Sequence, residues 1–262
     1  MNFYKKVIFT NAEQTQKELA EALRNNKVVH AANYNLDISI DEFYEKFADS
    51  IGSSYNVNED IITGERVESR WIEISFDPAI QDRYRTAKTR QPLHTDDSYA
   101  ELNGQQNVQF FFCKSKAPLG GATTFFDLNQ LVECFKLDGE EELMDRLFST
   151  DVNFEKQGSK KVRKILDKDE RGYLSNWNYY CIDKDNTEEA LKLVEDFHQY
   201  LETRIVPAGI VLPAVLEVGE AVFFHDDRLL HGRNSYFANT KGERCLVKGK
   251  IIFNDEYLAG GK

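Results

Sequence analysis

Residues 108–126 read VQFFFCKSKAPLGGATTFF. Two short runs of aromatic and β-branched residues, Val108–Cys113 and Thr123–Phe126, lie on either side of a segment whose Gly120-Gly121 marks a turn before the second run. That texture is the signature of strands. It recurs outward along the chain at Trp71–Phe76, Val215–Val218, Ala221–Phe224 and Cys245–Phe253. Many short strands of this kind predict a sandwich or barrel with helices packed outside, an α+β chain that is mainly β. The phenylalanine clusters Phe110-Phe111-Phe112, Phe125-Phe126 and Phe223-Phe224 carry no interleaved basic residues, so they read as strand core and not as a platform for stacking bases.

Helical spacing appears elsewhere. Leu19, Ala20 and Leu23 mark a helix over residues 12–25, with Asn11 as its cap and Asn25-Asn26 as its stop. A strand over Lys27–Ala31 follows, and then a second amphipathic helix from Asp41 to Ile51, ended by Gly52. Gln130–Phe148, broken near Asp138-Gly139, and Thr187–Thr203, with Asn186 as a cap, read as two further helical segments. Between them Gln157–Asp185, rich in Lys, Asp, Asn and Gly, reads as an irregular insertion over one mouth of the barrel. No repeat, low-complexity tract or Pro/Gly linker divides the chain. The expectation is one domain over residues 1–262, with a helical front end to about residue 68, a β-rich core over about 69–254 and an insertion over about 127–210.

With 262 residues the chain can bury a full core without disulfides or a structural metal. Its 33 basic and 44 acidic side chains give a net charge of −11, which argues against a general nucleic-acid binder but not against a local basic pocket. Cys113, Cys134, Cys181 and Cys245 show no paired spacing and read as free, mostly buried thiols. The apolar run at the start is too short for a signal peptide. No stretch reaches the about 18 apolar residues of a membrane span, so a cytoplasmic protein without a membrane partner is expected.

The chemistry concentrates in two segments. His94-Thr95-Asp96 places an imidazole and a carboxylate two residues apart, and on extended backbone such a pair faces the same side and can meet one metal ion. Alone this spacing is weak, as the second instance at His225-Asp226-Asp227 illustrates. Its weight comes from the later His231-Gly232-Arg233 and Arg244. Two histidines and one carboxylate on one face of a metal form the facial triad of non-heme Fe(II) oxygenases, which leaves positions open for substrate-derived ligands and oxygen.

The segments His94-Thr95-Asp96-Asp97-Ser98, Cys113 to Asp127 with its Gly120-Gly121-Ala122-Thr123, Phe223 to Arg233, and Arg244 resemble in order the signatures of the taurine dioxygenase and clavaminate synthase superfamily. The resemblance covers about residues 90–254 and implies a double-stranded β-helix, a distorted jelly roll with flanking helices. It further implies an enzyme that uses Fe(II), 2-oxoglutarate and O2 to oxidise C–H bonds of a small-molecule substrate, with release of succinate and CO2. Carried over, it makes His94, Asp96 and His231 the metal ligands, and assigns Arg244 and Thr123 to the distal carboxylate of 2-oxoglutarate. Charge arithmetic agrees. Fe(II) with one Asp leaves one net positive charge, a dianionic cosubstrate turns that into one net negative, and an Arg fork is suited to cancel it. Retention of Asp96, where halogenating relatives carry a small residue, favours hydroxylation or desaturation over halogenation.

Two residues near these motifs carry alternative readings. Family members often show an acidic residue, Asn and Arg before the distal histidine, whereas this chain has His225-Asp226-Asp227-Arg228. His225 is thus either a group that orients a metal ligand or a structural histidine. Lys248, four residues after Arg244 on the same strand face, is either the cation for an anionic substrate group or a solvated lysine. His30 and His198 have no companion ligand and read as structural. Gly120-Gly121 lacks the helix-opening context of a phosphate loop, and Asp138 with Glu140–Glu142 lacks the spacing of a calcium loop. The competing class is a non-catalytic jelly-roll protein with structural Zn or Ni. Such sites are usually closed by a fourth protein ligand, often Cys, and neither motif segment contains one. Substrate contacts are expected from the loops Glu65–Trp71, Ser98–Gln106 and Gly158–Tyr180, and Lys248 points to a small anionic or zwitterionic metabolite such as an amino acid or its derivative. No feature specifies an oligomeric state.

Overall fold

The computed structural model describes residues 1–56, 60, 63, 65, 67–80, 83–100 and 105–260. Two sheets dominate it. The major sheet runs in the order Asn2–Ile8, Asn26–Ala32, Ala221–Phe224, Asn107–Ser115, Cys245–Phe253 and Gly52–Ser54, with Ile72–Ser75 also paired to Cys245–Phe253. The minor sheet runs Leu212–Ala214, Thr123–Asp127, Leu229–Arg233 and Gln91–His94. Apart from the parallel pair at the N-terminal edge, the pairings of both sheets are antiparallel.

The phenylalanine runs follow from this layering. Phe111 and Cys113 turn inward with Val28, Val222, Phe224 and Leu246 of the major sheet to meet Phe125 and Leu229 of the minor sheet. Phe110, Phe112 and Phe223 turn outward, where Leu19 and Leu23 of the helix Ala12–Asn25 and Phe43 and Phe47 of the helix Ile40–Ile51 cover them. Phe126 and Leu230, on the outer face of the minor sheet, pack under helices Leu128–Asp138, Glu141–Ser149 and Glu188–Tyr200. Strands covered on both faces lose the apolar–polar alternation and read as continuous apolar runs. A buried ion pair, Lys27 with Asp127, ties the major sheet to the end of a minor-sheet strand.

Several expectations need correction. Val215–Val218 is not a strand. The strand is Leu212–Ala214, where its partner Thr123–Phe125 ends, and Val215 and Val218 are 48% and 53% exposed. The segment to residue 68 is helical only in part, since it also supplies three strands of the major sheet. Its first strand, Asn2–Ile8, is an edge with a mixed burial pattern that gives little apolar signal. Gln157–Asp185 is more regular than expected. It completes the hairpin Val152–Lys156 with Ser159–Arg163, and forms a second from Leu166–Asp169 and Gly172–Ser175. The helix after it is capped by Thr187, whose hydroxyl accepts from the Ala190 N–H at 3.2 Å. Asn186 is engaged elsewhere, accepting from the Asn153 N–H at 2.8 Å and donating to the Asn153 carbonyl. The four cysteines are free. No helix among the described residues is long and apolar enough to cross a membrane.

Gly249 lies in the centre of the long strand Cys245–Phe253. A Cβ there would come within 2.3 Å of Phe110 and 2.6 Å of Trp71, two rings already packed edge to face. Gly249→Ala is therefore expected to destabilise the protein by about 1–3 kcal/mol through overpacking. A denaturant midpoint equal to that of the unaltered protein would contradict this packing.

Candidate metal and dicarboxylate site

The minor sheet assembles the histidines. Its strands Gln91–His94 and Leu229–Arg233 pair with His94 directly opposite His231, which brings the imidazole centroids to 4.2 Å. Asp96 arrives differently from the strand alternation expected for it, because it sits in a turn just past the end of the strand. Thr95 anchors that turn, its N–H donating to the Trp177 carbonyl at 2.6 Å and its hydroxyl accepting from the Trp177 N–H at 2.9 Å. Asp97 adopts φ 53°, and its carboxylate is held by buried Lys250 at 2.6 Å. The turn thus points Asp96 back at the two rings. Ligand atoms of His94, Asp96 and His231 all lie within 4.8 Å of one another.

Each ring presents a defined nitrogen. His94 Nδ1 lies 2.9 Å from the Pro92 carbonyl and must carry the proton to bond it, which leaves Nε2 as a lone pair that accepts from the Gln91 amide at 3.1 Å. Burial, reinforced by neighbouring His231, pushes His94 down to about 3, so this ring stays neutral. His231 Nδ1 contacts Asp226 Oδ1 at 3.0 Å, and its Nε2 faces Asp96 Oδ2 at 3.5 Å. Burial disfavours its charged form, but the two carboxylates outweigh burial and lift it to about 9. A divalent cation between the rings would take the place of that proton. Asp96 shows the complementary shift: burial opposes its charge, yet Lys248 and both histidines hold it well below the usual carboxylate range.

The other expected residues converge on the same place. Thr123, Arg244 and Lys248 line one cavity of about 170 Å³ with His94, Asp96 and His231. Lys248 is no solvated lysine, since its ammonium bonds Asp96 Oδ2 at 2.7 Å, beside a second bond to that oxygen from the buried amide of Gln109. The Arg244 guanidinium, 3% exposed, lies over the Tyr236 ring at 4.9 Å. Its Nη2 reaches the Gly121 carbonyl only at 3.4 Å, and its Nη1 is buried without a partner. Gly121 has φ 78°, and a Cβ there would stand 3.1 Å from Arg244 Nε, so this turn position also gives the guanidinium its room. Among the described residues no carboxylate pairs with Arg244. Nearby Arg233 is bound to three carbonyls, those of Tyr84, Ala87 and Thr89, and burial together with Arg244 pulls it down to about 10. Buried guanidinium without an anion is costly. The residues present therefore fit a divalent metal at the His-Asp-His group and an anionic ligand reaching from it to Arg244.

His225 resolves as structural: it is buried, with Nε2 on the Leu23 carbonyl at 2.9 Å. The orienting group is its neighbour Asp226, which also accepts the Asp96 N–H at 2.9 Å and so links two of the three candidate ligands. Its signal was the acidic residue expected before the distal histidine. Gln109, hidden in an aromatic strand, had none. His30 bonds Tyr4 and Glu220, and His198 stacks on Tyr179; neither lines the cavity with the His-Asp-His group. Residues 66 and 101–104 of the expected substrate loops lie outside the described residues. Asn178, within the third loop, does line the cavity.

Asp226→Asn keeps an oxygen for the Asp96 N–H but removes the charge that orients His231. We expect Mn(II) or Co(II) affinity to fall about 10- to 100-fold in calorimetry. Affinity equal to that of the unaltered protein would remove Asp226 from this role.

The sequence matches the family model described as taurine catabolism dioxygenase TauD, TfdA family over residues 4–249. No curated protein matches it. Similar solved structures include AAD-2 in complex with Mn(II) and N-oxalylglycine, at 14% identity, 97% of this chain, 96% of that chain and a TM-score of 0.68. Asparagine oxygenase in complex with Fe(II), 2S,3S-3-hydroxyasparagine and succinate matches at 10% identity, 92% and 79% coverage and a TM-score of 0.64. Non-heme iron oxygenase OrfP with Fe, succinate and (3R,4R)-dihydroxy-L-Arg matches at 13%, 93% and 81%, with a TM-score of 0.63. At such identities these likenesses speak for the fold, whereas the family match spans nearly the whole sequence: the chain belongs to the TauD/TfdA family of 2-oxoglutarate-dependent non-heme iron dioxygenases.

Proposed function

We propose that this enzyme hydroxylates a C–H bond of an amino acid or amino-acid-like anion, within a single domain whose two sheets form a double-stranded β-helix. In this reading His94, Asp96 and His231 hold Fe(II), Arg244 and Thr123 receive the distal carboxylate of 2-oxoglutarate, and Lys248 meets the anionic group of the substrate. The observation that carries it is the buried Arg244, with Nη1 unpartnered and no carboxylate of the described residues beside it, in one cavity with the His-Asp-His group. Bound iron would supply O2 activation coupled to conversion of 2-oxoglutarate to succinate and CO2.

The chain's own residues perform the positioning. Pro92 and Asp226 fix both rings so that Nε2 of each faces the metal position. Lys248 and Gln109 bond one oxygen of Asp96 and leave the other to the metal. Arg244 neutralises the cosubstrate charge inside a wall that includes Phe111 and Leu246. An ammonium has three donors, so Lys248 can hold Asp96 and still offer two to a substrate carboxylate. The ligands named for asparagine oxygenase and OrfP, hydroxylated amino acids, support this substrate class.

The test is oxygen-dependent succinate formation by the Fe(II)-loaded protein across a panel of free amino acids. At least one is expected to stimulate turnover, and Asp96→Ala is expected to abolish it. Full activity in Asp96→Ala would overturn the ligand assignment, and no stimulation by any amino acid would overturn the substrate class.

A further inference from the structure

Beside the cavity at the metal position lies a half-open outer chamber of about 560 Å³, and the two spaces share Gln91, His94, Lys156, Asn178 and Cys181 in their walls. The inner space resembles in size the roughly 150 Å³ cavity that holds a single benzene, so a dicarboxylate cosubstrate leaves it little room. The outer chamber falls in the range of roughly 300–1,000 Å³ typical of sites that enclose larger organic ligands. A short polar amino acid would leave most of it as water.

Its wall has a distinct chemistry. Tyr84, Tyr179 and Tyr180 line it together with Ala87, Pro92 and Leu93. Tyr84 and Tyr180 meet in its wall, ring centroids 5.3 Å apart and hydroxyls hydrogen-bonded at 2.6 Å. Tyr179 is braced from behind, stacked on His198 at 3.9 Å with its hydroxyl donating to Glu195 at 2.8 Å. The segment that carries Tyr84 is tied down by Arg233 through the carbonyls of Tyr84, Ala87 and Thr89. Arg233 lies two residues after His231 on the same strand, so the aromatic wall is registered to the metal position. Tyr180 is nonetheless 62% exposed, an aromatic ring left in water unless a ligand covers it.

We infer that the substrate carries an aromatic body that seats against Tyr84, Tyr179 and Tyr180, with its anionic end directed to Lys248 beside the metal: an aryl-bearing amino acid or a derivative of one. This rests on the proposed function and narrows it. The rings favour an aryl group over an alkyl one because offset and edge-to-face contacts add to simple area burial. The phenol pair gives a polar substituent on that aryl group a donor and an acceptor.

The experiment is calorimetry on the full chain loaded with Mn(II) and 2-oxoglutarate, titrated with L-phenylalanine, L-tyrosine, L-alanine and L-asparagine. Either aromatic probe is expected to bind about tenfold more tightly than L-alanine or L-asparagine. Tyr180→Ala is expected to remove most of that preference without a matching loss of 2-oxoglutarate affinity. L-Alanine or L-asparagine binding as tightly as the aromatic probes, an intact preference in Tyr180→Ala, or no amino acid bound by protein that takes up 2-oxoglutarate would overturn the inference and leave the iron and cosubstrate assignments standing. Failure to take up 2-oxoglutarate would overturn those assignments, and this inference with them.

Discussion

The register of one short strand pair governs the rest of the site. Gln91–His94 and Leu229–Arg233 are paired so that His94 faces His231, and a slip of one residue would send one of the two imidazoles to the opposite face. Each strand of the pair is held by further bonds. Leu229–Arg233 is also bonded along its length to Thr123–Asp127, and Trp177 fastens the end of Gln91–His94 through Leu93 and Thr95. The turn that delivers Asp96 is held by Asp226 and by the Lys250–Asp97 pair. The three candidate ligands thus depend on sheet pairing for two members and on buried polar bonds for the third.

Charge is distributed against the bulk composition. The chain carries a net charge of −11, yet Arg85, Lys156, Arg233, Arg244 and Lys248 all line the cavity that holds Asp96, while Asp97 is committed to Lys250. Lys248 and Arg244 play separate parts. Lys248 already has a carboxylate partner in Asp96, and Arg244 has none among the described residues. A buried guanidinium is tolerated when a ligand completes its bonds, which is why the anion demand localises to Arg244.

Legibility in the sequence followed burial and spacing. Strands covered on both faces, such as Val108–Cys113 and Ala221–Phe224, were readable because both sides are apolar, and the helix break at Asp138-Gly139 was readable from its turn residues. Val215–Val218 misled because β-branched residues there are exposed, and β-propensity carries little information without a neighbouring strand. At the site, the spacing of His94 and Asp96 suggested a metal pair, and the family resemblance added His231, Thr123, Arg244 and a candidate role for Lys248; these six residues line one cavity. Asp226 was overshadowed by its neighbour His225, since only the three-dimensional path of a short turn decides which of two adjacent polar residues faces inward. Tyr179 and Tyr180 fall within the expected substrate loop Gly158–Tyr180, whereas Gln109 and Tyr84 were illegible for a related reason. They act through register and tertiary contact, and neither leaves a local pattern.

One cavity joins the His-Asp-His group to Arg244, and the proposed Fe(II) and 2-oxoglutarate positions both lie in it. Anaerobic titration of the Fe(II)-loaded protein with 2-oxoglutarate, followed by visible absorption, tests this assignment most directly. A metal-to-ligand charge-transfer band that saturates with the cosubstrate is expected, with an Arg244→Ala variant needing at least about 30-fold more 2-oxoglutarate to reach it, the scale expected for removing one partner of a buried charge pair. A protein that binds Fe(II) but gives no band, or an Arg244→Ala variant that saturates at the same concentration as the unaltered protein, would contradict it.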